Sequence, residues 1–224
     1  MAEERERDLP RLERGKDMSR IFAFTDGVYA IAITLLVLQI EVPTGITDND
    51  SLWSGIGDES DDLLAFAISF AVIGMNWVGA HRFMRTVDQY DRGLMLLTLF
   101  SLFWVVLIPF TSQLMGEYAS EAKLSVVLYA VNMLLTVIAA GLMQRHVLKA
   151  GLGKPEYRWD TELTLRSSIF TGAVFILTIP VAYFFGAITF LLWLGLRWDP
   201  YQRKRNEIYE ERKRKASVPA GSTS

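Results

Sequence analysis

The chain has 224 residues, 51% of them hydrophobic, a formal net charge of −2 and no cysteine. The missing cysteines exclude a disulfide framework and thiolate metal sites. The near-neutral charge names no partner by itself, and no nucleic acid is expected as one. The layout says more than the totals: apolar residues come in blocks of about 20, the length that crosses a hydrocarbon core as a helix.

Residues 1–19 form a charged segment of both signs, "EERERDLPRLERGKD" at its centre. It does not have the pattern of a cleaved leader, because the apolar run after it is long and lacks a small-residue cleavage site. A cytoplasmic N-terminal tail is therefore expected over 1–19, followed by a membrane domain over 20–198. The first span is predicted from about Ile21 to Val42 and the second from about Leu63 to Met84. Between them lies "PTGITDNDSLWSGIGDESDD", a loop with acidic but no basic residues. The third span is predicted over Gly93–Met115 and the fourth over Leu124–Leu142. The run Leu163–Trp198 is too long for one ordinary span. Proline lacks the amide hydrogen a helix needs, so a fifth and a sixth span are divided by a tight hairpin near Ile179–Pro180. The segment 199–224 begins as a charged helix and ends in small, polar residues of disordered composition. It is expected to be a partly disordered, solvated cytoplasmic tail whose basic run can also meet anionic lipid headgroups.

The fold class is thus all-α, with six transmembrane helices. A soluble bundle would need polar faces at the helical period, and "GLMLLTLFSLFWVVLIPF" in the third span supplies almost none. Lysine and arginine set the orientation. All but one of the 23 basic residues fall in segments that an even number of spans places on one side; Lys123 is the exception. Both termini are therefore expected in the cytoplasm.

The first span carries the candidate site. At about 100° per residue, Ile31, Leu35 and Leu38 lie on nearly one face, bordered by Thr34 and continued by Phe24. Glu41 stands at the outer end, where it and the acidic loop can concentrate cations. Asp26 is about 220° around the helix from Ile31 and so points elsewhere. An ionised carboxylate at the centre of a span costs about 3 kcal/mol. Asp26 is nearer the cytoplasmic end, and still calls for partners. His81, Trp77 and a neighbouring arginine such as Arg20 reach a similar depth, and the Thr25 hydroxyl can join them. By spacing alone this cluster is either helix glue or a proton or ion relay. The Ile–Leu row equally suits a face against neighbouring helices or lipid. His146, in "QRHVLKAG", is expected to be solvated.

Arg20-xxx-Phe24-Thr25-Asp26 resembles the R-x-x-x-F-S-D signature of the transmembrane-protein-175 family, potassium channels without the usual filter, with Thr25 where serine is typical. The similarity continues through "DGVYAIAITLLVL", through Trp77 to Arg82 ("WVGAHR") and through Leu107 to Thr111 ("LIPFT"). Ala80 precedes His81 where a further histidine is frequent. The resemblance implies a homotetramer whose four first spans surround a pore, in a prokaryotic plasma membrane. It implies Ile31 as the narrowest ring, Leu35 and Leu38 further out, and Thr34 as a hydroxyl layer. K+ transits at Ile31 and Thr34 with no fixed metal site, and no cofactor is implied. Arg20, Phe24, Thr25, Asp26, Trp77 and His81 become supports of the pore helix. The function implied is a leak-like, potassium-selective cation channel. A secondary cation or proton transporter and a non-conducting structural membrane protein are the alternatives. An enzyme is not expected, since neither histidine has a nucleophile–base cluster around it.

Overall fold

The computed structural model describes residues 2–118, 121–185 and 199–217; side chains are described from Met18 onward, apart from Asp61 and the last three residues of that range. The elements are α1 (Ala2–Leu35), which runs into a 3-10 turn at Leu36–Gln39, α2 (Asn49–Asp58), α3 (Ser60–Thr86), α4 (Arg92–Val106) and α5 (Ile108–Tyr118). They are followed by α6 (Leu124–Ala150), a 3-10 turn at Pro155–Tyr157, α7 (Arg158–Phe185) and α8 (Pro200–Ser217). Among the described residues, five helical stretches are long and apolar enough to cross a membrane: Met18–Gln39, Asp62–Thr86, Arg92–Tyr118, Leu124–Ala150 and Pro155–Phe185. The predicted sixth span falls largely on residues 186–198, outside the described residues, as does the tail's end at 218–224.

Several expectations need correction. The third span is two helices, α4 and α5, parted at Leu107 just ahead of Pro109. Asn132 of α6 fills the break. With its amide oriented to satisfy both ends, it donates to the Trp104 carbonyl at 3.1 Å and accepts from the Ile108 amide at 3.2 Å. Those two groups would have bonded each other in an unbroken helix, so one inserted side chain replaces the lost rung. The predicted hairpin at Ile179–Pro180 is absent, because α7 continues through Pro180 to Phe185. Proline removes one backbone bond, but inside a membrane neighbouring helices and hydroxyl side chains make such a residue tolerable.

The first loop contains an unpredicted helix, α2. Asp48 accepts from the Ser51 amide at 2.8 Å, while Ser51 Oγ accepts from the Asp48 amide at 3.1 Å. This reciprocal cap satisfies two otherwise open donors. The fourth span runs roughly two turns past Leu142 and stops at Gly151, whose φ of 67° is the left-handed cap that glycine tolerates.

Inside the bundle, polar contacts join the helices. Ser69 of α3 donates to Ser112 of α5 at 2.7 Å and lies 3.0 Å from the Tyr129 hydroxyl of α6. Lipid tails are as apolar as leucine, so burial alone does not drive such helices together. Close packing and bonds of this kind do, each worth roughly 0.6–2 kcal/mol.

The α3–α4 and α6–α7 connections zip together at one end. Asp88 and Gln89 amides donate to the Leu152 carbonyl at 2.8 and 3.0 Å, and the Lys154 amide donates to the Thr86 carbonyl at 2.8 Å. Lys154 Nζ caps the Arg85 carbonyl at 3.0 Å, a cation at the negative end of α3. At the opposite end Lys123 Nζ donates to the Phe184 carbonyl at 2.7 Å, which ties the start of α6 to the end of α7.

The C-terminal segment begins as the expected charged helix, and its docking on α7 is what the sequence did not reveal. Asp199, 1% exposed, caps α8 by accepting from the Tyr201 amide at 2.9 Å, and takes a hydrogen bond from Ser167 of α7. Tyr209 donates to buried Asp160 at 2.8 Å, and Arg212 lies 4.6 Å over the Trp159 ring. Through Ser217, the expected solvated tail is a helix docked on α7.

Candidate functional site

A four-residue stripe holds α1 against the bundle. Thr25, Tyr29, Ala32 and Leu36 are all buried, at spacings of four, three and four residues, which is one helical face. The other face is open. Phe24, Ile31, Leu35 and Leu38 are 55%, 62%, 41% and 78% exposed. Thr34 is exposed beside them, and its hydroxyl turns back to the carbonyls of Ile31 at 2.9 Å and Ala30 at 3.1 Å. The predicted row is thus a continuous apolar strip, interrupted by one hydroxyl that keeps lone pairs for a passing group.

Asp26 leaves that strip. Its Oδ1 accepts from the Trp77 indole of α3 at 2.8 Å. Of the donors expected around Asp26, Trp77 is the one bonded to it among the described residues. His81 instead stacks on Trp77, with ring centroids 5.6 Å apart and planes 32° from parallel. The Thr25 hydroxyl does not join either; it is buried without a hydrogen-bond partner among the described residues. Arg20 is exposed at the start of the span. Phe22, Thr25, Asp26, His81 and Arg85 line a cavity of about 160 Å³ between α1 and α3. Phe22 and Met18 also pack against a buried cluster that includes Phe83, Met84 and Val87 from the end of α3 and Met143 and Val147 of α6.

At the far end, exposed Glu41 follows the 3-10 turn. Partial desolvation and the carboxylates of Asp62, Glu41 and Asp58 push the Glu59 carboxyl above its usual range. Glu41, Asp58, Glu59 and Asp62 thus lie close enough to act on one another at this end.

Two polar contacts escaped sequence reasoning. Asn132 was legible only as a lone amide in an apolar span, a signal for interhelical bonding. His146 is not solvated in a loop. It sits on the extended α6 with Nε2 2.9 Å from Asp91 Oδ2, tying α6 to the cap of α4. The Leu94 amide and His146 together hold the Asp91 carboxyl below the usual carboxylate range, the amide contributing more. No cluster among the described residues has the composition of a metal site.

This geometry has known counterparts. A family described as the endosomal/lysosomal potassium channel TMEM175 matches residues 20–109. A Streptomyces collinus protein named a potassium channel is 38% identical over 138 residues, 60% of this chain and 66% of its own length. One from Chamaesiphon minutus, also named a potassium channel, is 36% identical over 137 residues, 60% of this chain and 68% of its own. The chain thus spans about two thirds of the length of these bacterial relatives. A Gallus gallus protein named an endosomal/lysosomal proton channel is 32% identical over 128 residues, 54% of this chain and 26% of that protein. The crystal structure of a lysosomal potassium-selective channel TMEM175 homologue from Chamaesiphon minutus superposes with a TM-score of 0.74. It is 26% identical, and the match covers 85% of this chain and 99% of that one. The signature on α1, the helical membrane fold and these likenesses agree: the chain belongs to the TMEM175 family of ion channels, which are not enzymes.

Proposed function

We propose that the protein is a leak-like, potassium-selective cation channel, in which four copies surround a pore lined by α1. The observation that carries this is the open face of α1. Ile31, Thr34, Leu35 and Leu38 are exposed among the described residues, while the opposite stripe is buried. Four such faces brought together form a tube with an isoleucine ring at Ile31 and leucine rings beyond it.

Physics limits what this tube can do. The sequence has no T-V-G-Y-G run, so no stack of backbone carbonyls from such a filter replaces the hydration of an ion. A bare cation against isoleucine would pay tens of kcal/mol. Conduction therefore keeps most of the water shell, and the closed state is a dewetted Ile31 ring. A small rotation or outward shift of α1 opens it. Discrimination arises from partial dehydration at Ile31, helped by Thr34 hydroxyls, and is modest. Glu41 and the acidic loop raise the cation concentration at the outer mouth. Asp26, Trp77, His81, Phe24, Thr25 and Arg20 hold the pore helix in place, and no cofactor is required.

Six spans over 20–198 fit the described ends of the chain. Asp199 contacts Ser167, eighteen residues before Phe185 on α7, which is about 27 Å of helix. The residues described after 198 therefore begin beside α7 nearer its start than its end. With the charge bias, this supports a reading in which both termini lie in the cytoplasm of a prokaryote and the channel is embedded in plasma-membrane lipid.

Ile31→Asn tests the gate. A polar ring stays wet, so K+ flux into liposomes should rise several-fold and the K+/Na+ ratio should fall. Unchanged flux in a properly assembled variant would remove Ile31 from the pore. The naming of vertebrate relatives as proton channels supports a second reading, proton conduction. A pH gradient imposed across the same liposomes, with an internal pH dye, separates the two.

A further inference from the structure

We infer that the C-terminal helix α8 is a cytoplasmic handle on the pore helix, with Tyr209, Asp160, Thr161 and Thr86 as positioning residues. The inference rests on α1 being the pore helix.

The contacts form an unbroken path. Tyr209 of α8 donates to Asp160 at 2.8 Å, and Arg205 adds a hydrogen bond to Thr164 at 3.2 Å on the same turns of α7. Asp160 is 5% exposed, and its carboxylate is held by the Tyr209 hydrogen bond and by Arg205 Nε at 3.9 Å. The adjacent residue, Thr161, is 2% exposed and donates to Thr86 Oγ1 at 3.2 Å. Thr86 closes α3 and donates in turn to the Phe83 carbonyl at 2.7 Å. Phe83 and Met84 belong to the buried cluster against which Phe22 and Met18 of α1 pack, and Phe22 and Met84 line the same cavity. Two turns earlier the same helix holds Asp26 through Trp77.

Each link is a hydroxyl, a carboxylate or an apolar contact, and Asp160, Thr161 and Thr86 are buried. A displacement of α8 moves the first turn of α7, which carries Thr161. Thr161 then moves the end of α3, the support on which the cytoplasmic half of α1 rests. The tail therefore does more than solvate the protein. Anything in the cytoplasm that captures or releases α8 changes the packing under the gate.

The test uses the full-length protein in liposomes, with Ile31→Cys as reporter; the chain has no other cysteine. Three variants are compared on this reporter and on the parent: Tyr209→Phe, Thr161→Val and Thr161→Ser. Phenylalanine keeps the ring that stacks on Trp159 at 5.2 Å and removes only the hydroxyl. Y209F and T161V should each change K+ flux, and the rate at which a water-soluble thiol reagent modifies position 31, by about threefold. The double variant should change them no further than the larger single one, because both cut one path. T161S should restore parental values. Y209F with parental flux and labelling overturns the inference, whatever T161V does. Full additivity overturns it as well. Ile31→Asn, run alongside, keeps the premises apart. If I31N alters flux and Y209F does not, the handle is wrong and the pore stands. If neither alters flux, the assignment of α1 fails first.

Discussion

Asp26 is the residue whose sequence and structural descriptions matter most to each other. A carboxylate in an apolar span invites an ionic role, yet it is bound to the Trp77 indole and turned from the Ile31 face. The angular offset made that direction legible in the sequence. The partner was not, because depth alone could not choose between Trp77, His81 and an arginine. Its consequence is measurable. Trp77→Phe leaves a ring against His81 and takes away the donor. A hydrogen bond to a charged group is worth roughly 1.5–3 kcal/mol when well formed, and less at this partly exposed position. W77F and Asp26→Ala should therefore lower the melting temperature and yield of the assembled channel, with the K+/Na+ ratio preserved. A well-assembled variant with an altered ratio would make Asp26 part of the ion path. Thr25 shows the limit of the signature: its hydroxyl is buried without a partner among the described residues, so its position in the motif does not reveal a bond.

At the scale of elements, the blocks of apolar residues located every described span, since hydrophobic length is a property of composition. The breaks depended on tertiary partners and were not legible. Pro109 parts α4 from α5, where Asn132 fills the gap, whereas Pro180 leaves α7 continuous. The two prolines look alike in one dimension. The docking of α8 escaped for the same reason, because Asp160 and Tyr209 are 49 residues apart. The cap of α4 allows a pH test. The carboxyl of Asp91 is lowered when folded, chiefly by the Leu94 amide and then by His146. A depressed folded value means its stabilisation is present above the unfolded value, about 3.9, and is lost as pH falls through the folded one. In melts from about pH 7 to about pH 3, Asp91→Ala should be less stable at neutrality, as expected for a lost N-cap. Its gap from the parent should then narrow towards acid. A gap constant over the whole range would exclude the carboxylate as the source.

For the whole molecule, charge and helix packing give the same two ends by independent routes. One end gathers the start of the first span at Met18 and Phe22, the ends of α3 and α6, the start of α7 and the docked α8. The other holds α2, the start of α6 and the end of α7, where Lys123 meets Phe184. The basic residues crowd the first end, and Lys123 is the exception. The positive-inside bias then assigns the crowded end to the cytoplasm. The absence of cysteine makes this directly testable, because each introduced thiol is the only one present. Asp50→Cys on α2 and Lys213→Cys on α8 are exposed positions at opposite ends. In intact cells a membrane-impermeant thiol reagent should label Asp50→Cys and leave Lys213→Cys untouched until the membrane is opened. Labelling of both from outside would put α8 across the membrane from the start of α7. The Tyr209–Asp160 bond forbids that, so the six-span topology and the docked tail stand or fall on the same measurement.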